Sequence, residues 1–205
     1  MPKQILPNQK KKENRIPNDK YLTPYSIVQQ LIDNIDLDKS ETILEPCASS
    51  ELTIGKVLRK NGFLSIEENI YDPNDEATDF LTQDRTTECI ITNTPYGDKS
   101  ITAFILKMKQ VATKRIIALY PLSILQGIKR YTKIWTDKVF PLKEVLLFVR
   151  PPLLTDSVRE DDKYLTGMTF YAWFIWEKGY EGAIQFRHIN NHSFCLRQET
   201  KLPPP

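Results

Sequence analysis

Apolar positions change period repeatedly along the chain. Residues 1–18 are rich in Lys, Asn and Pro and poor in apolar side chains, so they read as a flexible basic arm. Thr23-Pro24 then opens a helix, with Thr as cap and Pro at the first helical position, where its missing N–H is not needed. Ile27, Val28, Leu31, Ile32 and Ile35 follow at helical spacing. Residues 42–45 form a short buried strand that runs into Pro46. Helical spacing returns over 50–60 through Leu52, Ile54, Val57 and Leu58 and stops at Asn61-Gly62. Residues 63–66 read as a second strand followed by Glu67 and Glu68, and 72–75 as a turn. Residues 89–92 are a buried strand halted by Pro95 and Gly97. A helix over 99–112 carries Ile101, Phe104, Ile105 and Met108 on one face. The strand 115–120 closes at Pro121, a helix covers 123–135, and the strand 144–149 ends at Pro151-Pro152. After a polar loop over 153–167 comes a long aromatic strand, 169–177.

Strands alternating with helices imply crossover connections and a mostly parallel sheet. Only a loop joins the last two strands, which predicts an antiparallel pair at the sheet edge. The pattern gives an α/β fold, with one domain over residues 19–198 and a Pro-rich tail at 199–205.

Composition adds limits. Hydrophobic residues make up 40% and charged residues 26%, as in ordinary globular domains. No run approaches the ~18 apolar residues of a membrane span. Cys47, Cys89 and Cys195 are odd in number and far apart, which reads as reduced thiols in a cytoplasmic setting. The net charge of +2 conceals a segregation: residues 21–98 carry −10 and residues 99–150 carry +9. Such asymmetry fits contact with a polyanion, and equally fits two solvated faces.

Three strand ends carry candidate chemistry, because ligands of open parallel sheets gather beyond the carboxyl ends of strands. Glu45-Pro46-Cys47-Ala48-Ser49-Ser50-Glu51 opens a helix with small residues. Glu67 and Glu68 follow the second strand, where a carboxylate can accept from a ribose diol. Asn93-Thr94-Pro95-Tyr96-Gly97 leaves a buried strand and is the strongest signal. His188 and His192 bracket an Asn-Asn loop without a ligand cluster, so no metal site is expected.

Asn93-Thr94-Pro95-Tyr96 resembles the Asn/Asp-Pro-Pro-Tyr motif of amino-group DNA methyltransferases, which use S-adenosylmethionine. Other segments of this chain are similar to that family in the same order. Tyr21-Leu22-Thr23-Pro24 resembles the segment beside the methionine end of the cofactor. Glu45-Pro46-Cys47-Ala48 resembles the Glu-Pro cofactor loop. Asp79-Phe80-Leu81 resembles the segment whose acid meets the cofactor adenine while Phe stacks. Residues 120–131, through Leu122, Ser123 and Arg130, resemble the helix beside the target pocket. Residues 171–176 with Gly179-Tyr180 resemble the last strand of phage and prophage members. Ser49 and Glu51 stand where the family usually has glycines.

The resemblance implies a Rossmann-like class I methyltransferase fold, a mostly parallel seven-stranded sheet with an antiparallel C-terminal strand, and no separate target-recognition domain within the chain. It implies S-adenosylmethionine as cofactor, no metal, and a cytoplasmic location in a prokaryotic or phage-infected cell. Asn93, Thr94, Pro95 and Tyr96 would be catalytic. Tyr21, Thr23, Pro24, Glu45, Pro46, Cys47, Ala48, Glu67, Asp79, Phe80 and Asn93 would bind the cofactor. The Asn93 oxygen and the Thr94 carbonyl would accept from an adenine amine, and Tyr96 would stack on the flipped base. Lys99, Lys129, Arg130 and Lys133 would meet phosphates. DNA is the expected partner, with RNA possible and a homodimer allowed. The alternatives are methylation of RNA adenine or of a protein glutamine, and a silent nucleic-acid-binding module with a degenerate cofactor loop.

Overall fold

The computed structural model describes residues 22–72, 74–96, 100–151, 154 and 167–191. Seven strands form one sheet: β1 (Ile43–Ala48), β2 (Ile66–Ile70), β3 (Thr87–Thr92), β4 (Ala112–Pro121), β5 (Leu142–Phe148), β6 (Tyr171–Glu177) and β7 (Gln185–Ile189). The principal helices are α1 (Tyr25–Asn34), α2 (Thr53–Lys60) and α3 (Ser100–Val111). The spatial order is β2-β1-β3-β4-β6-β5-β7, and β6 runs antiparallel to both its neighbours while the other pairs are parallel.

Strand periodicity divides the core into two layers, because successive side chains point to opposite faces. Leu44, Ile90, Ile116, Ala118, Phe174 and Trp176 face α3 and the segment around Ile134. Ile43, Ile91, Ile117, Leu119, Trp173 and Ile175 face α1 and α2. The two layers explain why these strands read as continuous apolar runs. On the second face, the Trp173 indole N–H donates to the Ile27 carbonyl, 3.2 Å, tying β6 to α1.

Four expectations are corrected. The second strand lies at Ile66–Ile70, not 63–66. Phe63 is 2% exposed because it folds back on α2, where its N–H bonds the Leu58 carbonyl after Gly62 turns at φ 87°. This is a helix C-terminal contact that consumes an apolar residue otherwise suited to a strand. The antiparallel pair β5–β6 is real but internal: β6 inserts beside β4, and β7 occupies the edge. β7 was not expected because its residues are mostly exposed and polar, and it includes His188. The helix over 123–135 is broken into a 3-10 turn (Leu122–Leu125), an α turn (Ile128–Arg130) and a π turn (Tyr131–Trp135), parted by Gly127 at φ 125°. Finally, Pro24 rather than Thr23 caps α1.

Tyr21, Gly97, Lys99, His192, Cys195, the arm 1–18, the tail 199–205 and most of the loop 153–167 lie outside the described residues. Among the described residues, no helix is long and apolar enough to cross a membrane.

Candidate active site

The carboxyl ends of β1 and β3 adjoin in the sheet, and the loops leaving them bound a narrow cleft. Thr23, Glu45, Cys47 and Ser49 line one part of it, and Asn93, Thr94 and Pro95 another. Tyr71, Thr53 and Ile54 complete the wall. The cleft therefore joins the expected cofactor loop to the expected target-base motif. Pro24, Pro46 and Ala48 are buried beside these lining residues.

Pro46 explains the opening. It has no N–H to give a ladder, and the β1–β2 register shifts between Glu45 and Ala48. Asn69 repairs the irregularity by donating to the Pro46 carbonyl, 3.0 Å, and to the Thr78 carbonyl, 2.8 Å.

Glu45 lies at the floor. It is 4% exposed, its carboxylate accepts from the Gly55 N–H, and its Oε2 has no hydrogen-bond partner. Its register neighbour on β2 is Glu68. Glu68 is ion-paired to Arg59 through Oε2, while its buried Oε1 has no partner. Burial, and then the nearby Glu68 charge, push the Glu45 carboxyl up to about 8. Gly55 permits this crowding: a Cβ there would stand 2.0 Å from Glu68 Oε1.

The loop before α2 contains the only non-glycine residue with positive φ among the described residues, Leu52 at φ 51°. Left-handed backbone costs a side-chain-bearing residue on the order of 1 kcal/mol. Leu52→Gly is expected to raise stability by up to about that amount, read as the midpoint of urea unfolding. Glu51 is exposed and does not line the cleft.

At the β3 end, Asn93 is held from both sides. Its Nδ2 donates to Thr23 Oγ1, 2.9 Å, and its Oδ1 accepts from the Tyr96 hydroxyl. A phenol proton must meet the amide oxygen, so the two bonds together orient the side chain. Thr23 lies one residue before the N-cap position of α1, and its hydroxyl serves Asn93 instead. Thr94 is 2% exposed, and its hydroxyl bonds the Tyr120 phenol, 3.0 Å. Its side chain anchors the turn to β4, a role its backbone carbonyl alone would not require. Burial raises the Tyr120 phenol above its ordinary range. Tyr96 is turned toward the protein, its ring 5.7 Å from that of Tyr171 and 6.1 Å from that of Tyr120.

Other expected residues are not brought to the cleft. Glu67 lies within β2 instead of after it, and its exposed carboxylate pairs with Arg85. Phe80 is fully buried with its ring stacked on Phe104, so no face is left for a ligand. Asp79 is partly buried and its Oδ1 accepts from the Leu81 N–H, 3.0 Å. The residues that do follow β2 are Tyr71 and Asp72; the Tyr71 N–H bonds the Ala48 carbonyl, 3.2 Å. Burial, and then Asp79, raise the Tyr71 phenol. Tyr71 was missed because the strand before it was placed too early.

On the target side, Arg130 is partly exposed, but its guanidinium is engaged within the chain. Its guanidinium donates to the Ile124 and Gln126 carbonyls and clamps the turn. Lys129 and Lys133 are exposed and ion-paired to no described residue. Among the described residues there is no group of three or more His, Cys, Asp or Glu able to hold a metal.

No protein-family model matches the chain, and no curated protein matches it in sequence. Solved structures do match. A candidate class I S-adenosylmethionine-dependent methyltransferase from Listeria monocytogenes is 14% identical with a TM-score of 0.59, over 85% of this chain and 67% of that one. The M protein of the type I restriction enzyme EcoKI is 13% identical with a TM-score of 0.56, over 78% of this chain and 44% of its own. A candidate RNA methyltransferase from Pyrococcus horikoshii is 10% identical with a TM-score of 0.52, over 79% of this chain and 89% of that one. The chain thus spans less than half of the EcoKI M protein. At these identities the likeness is one of architecture, and it agrees with the strand order and the single antiparallel strand: the chain has the Rossmann-like fold of class I methyltransferases.

Proposed function

We propose that the protein transfers a methyl group from S-adenosylmethionine to the exocyclic amine of adenine in DNA. The observation that carries this reading is the doubly held Asn93 amide, which borders the same cleft as the buried Glu45 carboxyl. The residues present fit the donor. Glu45 offers an unpartnered carboxylate oxygen for its ammonium, and Tyr71 an aromatic wall. Asp72 and Asp79 do not line the cleft, but both follow β2 in the chain, so a donor seated at Glu45 would have to extend past Tyr71 for its ribose and adenine amine to reach them. The donor, when bound, supplies the methyl as an electrophile on sulfur.

The chain's own residues act on the adenine. Its amine is a poor nucleophile because the lone pair is delocalised into the ring. An amide oxygen has two acceptor sites, so Asn93 Oδ1 can keep the Tyr96 bond and still accept from the amine. A second acceptor, the Thr94 carbonyl, would draw the other hydrogen and hold the nitrogen out of the ring plane. In such a transfer the N–C bond would form as the donor's S–C bond broke, and the surplus amine proton would leave to water. Asn93 is neutral, so it orients rather than deprotonates, and alignment provides the larger share of the acceleration.

The test is transfer of labelled methyl with DNA, RNA and protein offered in competition, followed by digestion to nucleosides and amino acids. Label in N6-methyladenosine of RNA or in glutamine, and none in DNA, would move the reading to those substrates. The EcoKI M protein and the Pyrococcus RNA methyltransferase share this fold, which is why both acceptors belong in the experiment.

A further inference from the structure

We infer that Ile128 is a wedge that enters the base stack of duplex DNA beside the adenine drawn to Asn93, an inference that rests on the methyl-transfer reading above. The turn that carries it leaves β4 at the carboxyl edge of the sheet. Tyr96 meets that same edge, with its hydroxyl 3.2 Å from the Leu119 carbonyl. Ile128 is 85% exposed, although the core layers on both faces of the sheet are filled with side chains of its kind. Two features shape the turn that presents it. Gly127, at φ 125°, reverses the chain immediately before it, and Arg130 clamps the turn by donating to the Ile124 and Gln126 carbonyls. A cation used to stiffen the turn beneath an apolar tip is an arrangement for insertion rather than for solvation.

The surroundings suit a polyanion with an apolar interior. Lys129 and Lys133 follow the tip on the same turn, are exposed and are ion-paired to no described residue, while Tyr131, three positions on, is 63% exposed. Lysines on such a turn can meet phosphates while an apolar side chain beside them enters between base steps. Taking a paired adenine out of the stack leaves a gap, and unpaired adenines are cheaper to extrude. An apolar side chain that fills the gap therefore matters for a paired target and not for an unpaired one.

The experiment compares Ile128→Ala and Ile128→Leu with wild type on three DNAs of one sequence: a full duplex, a duplex with the target adenine opposite an abasic site, and a single strand. Ile128→Ala is expected to lose about tenfold or more in transfer rate on the full duplex, to stay within about twofold of wild type on the other two, and to be restored on the duplex by Ile128→Leu. An equal loss on all three DNAs, or no loss on the duplex, overturns the wedge while leaving the methyl-transfer reading in place. A wild-type protein that methylates none of the three overturns that reading, and the wedge with it.

Discussion

Asn93→Ala is expected to slow methyl transfer to adenine in DNA by about 10²- to 10³-fold, the range seen when one preorganised hydrogen-bonding group is removed from a reacting centre. The loss has two parts. The acceptor for the amine disappears, and Thr23 and Tyr96 lose the amide they both hold. Asn93→Asp separates these parts. It keeps an oxygen where Tyr96 donates but has no N–H for Thr23, so its activity is expected between those of wild type and Asn93→Ala. Single-turnover transfer of labelled methyl checks both variants, with donor affinity measured alongside to show that the cleft is intact. Equal activity of wild type and Asn93→Ala would mean that the reaction, if any, takes place elsewhere.

The second large effect is on pH. Burial and Glu68 raise the Glu45 carboxyl to about 8 in the folded chain, against about 4.3 for an unperturbed glutamate. The native state therefore binds more protons than the unfolded state across that window. Stability is fully present below the unfolded value and is lost as pH rises through the folded one, at up to about 1.4 kcal/mol per pH unit. The groups that set this are Glu68 on β2, and the Gly55 N–H and Arg59 on α2, which act in the opposite sense. Glu45→Gln is neutral at every pH, so it is expected to unfold at higher urea than wild type at pH 8 and to differ little at pH 4.5. Parallel wild-type and mutant curves between those pH values would show that Glu45 is ionised throughout. The same substitution is expected to weaken donor binding, because an ammonium beside Glu45 would favour its ionised carboxylate, and an amide cannot ionise.

Much of this arrangement was readable in the chain. Apolar runs ending in Pro located β1, β3 and β4, and residues at the carboxyl ends of β1 and β3 line the cleft: Glu45, Cys47, Asn93, Thr94 and Pro95. What failed did so for local reasons. Phe63 looked like strand because nothing in a sequence distinguishes an apolar residue packed on its own helix from one in a sheet. That slip put Glu67 and Glu68 after β2, and so concealed Tyr71 and Asp72. β7 is polar and exposed on the edge, so it carried no periodic signal. Phe80 and Arg130 were assigned to ligands because partner-rich residue types look alike whether their partner is a ligand, a ring such as Phe104 or a backbone carbonyl.

The charge segregation also changes meaning in three dimensions. Several cations of residues 99–150 pair with acids of the same chain. Lys114 meets Glu88, 2.6 Å, Lys109 meets Asp137, 2.8 Å, and Lys143 meets Glu177, 2.8 Å. Lys114, Arg115 and Glu41 sit at the amino edge of the sheet, away from the cleft. The positive groups left for a polyanion include Lys129 and Lys133 on the turn that follows β4.

Every functional step above depends on the cleft accepting the donor despite Ser49 and Glu51. Calorimetric titration of S-adenosylmethionine into the protein at neutral pH tests that most directly. The expected result is saturable one-to-one binding below about 1 mM donor, weakened in Glu45→Gln. No binding at millimolar donor would contradict the account and leave a nucleic-acid-binding module on a methyltransferase fold.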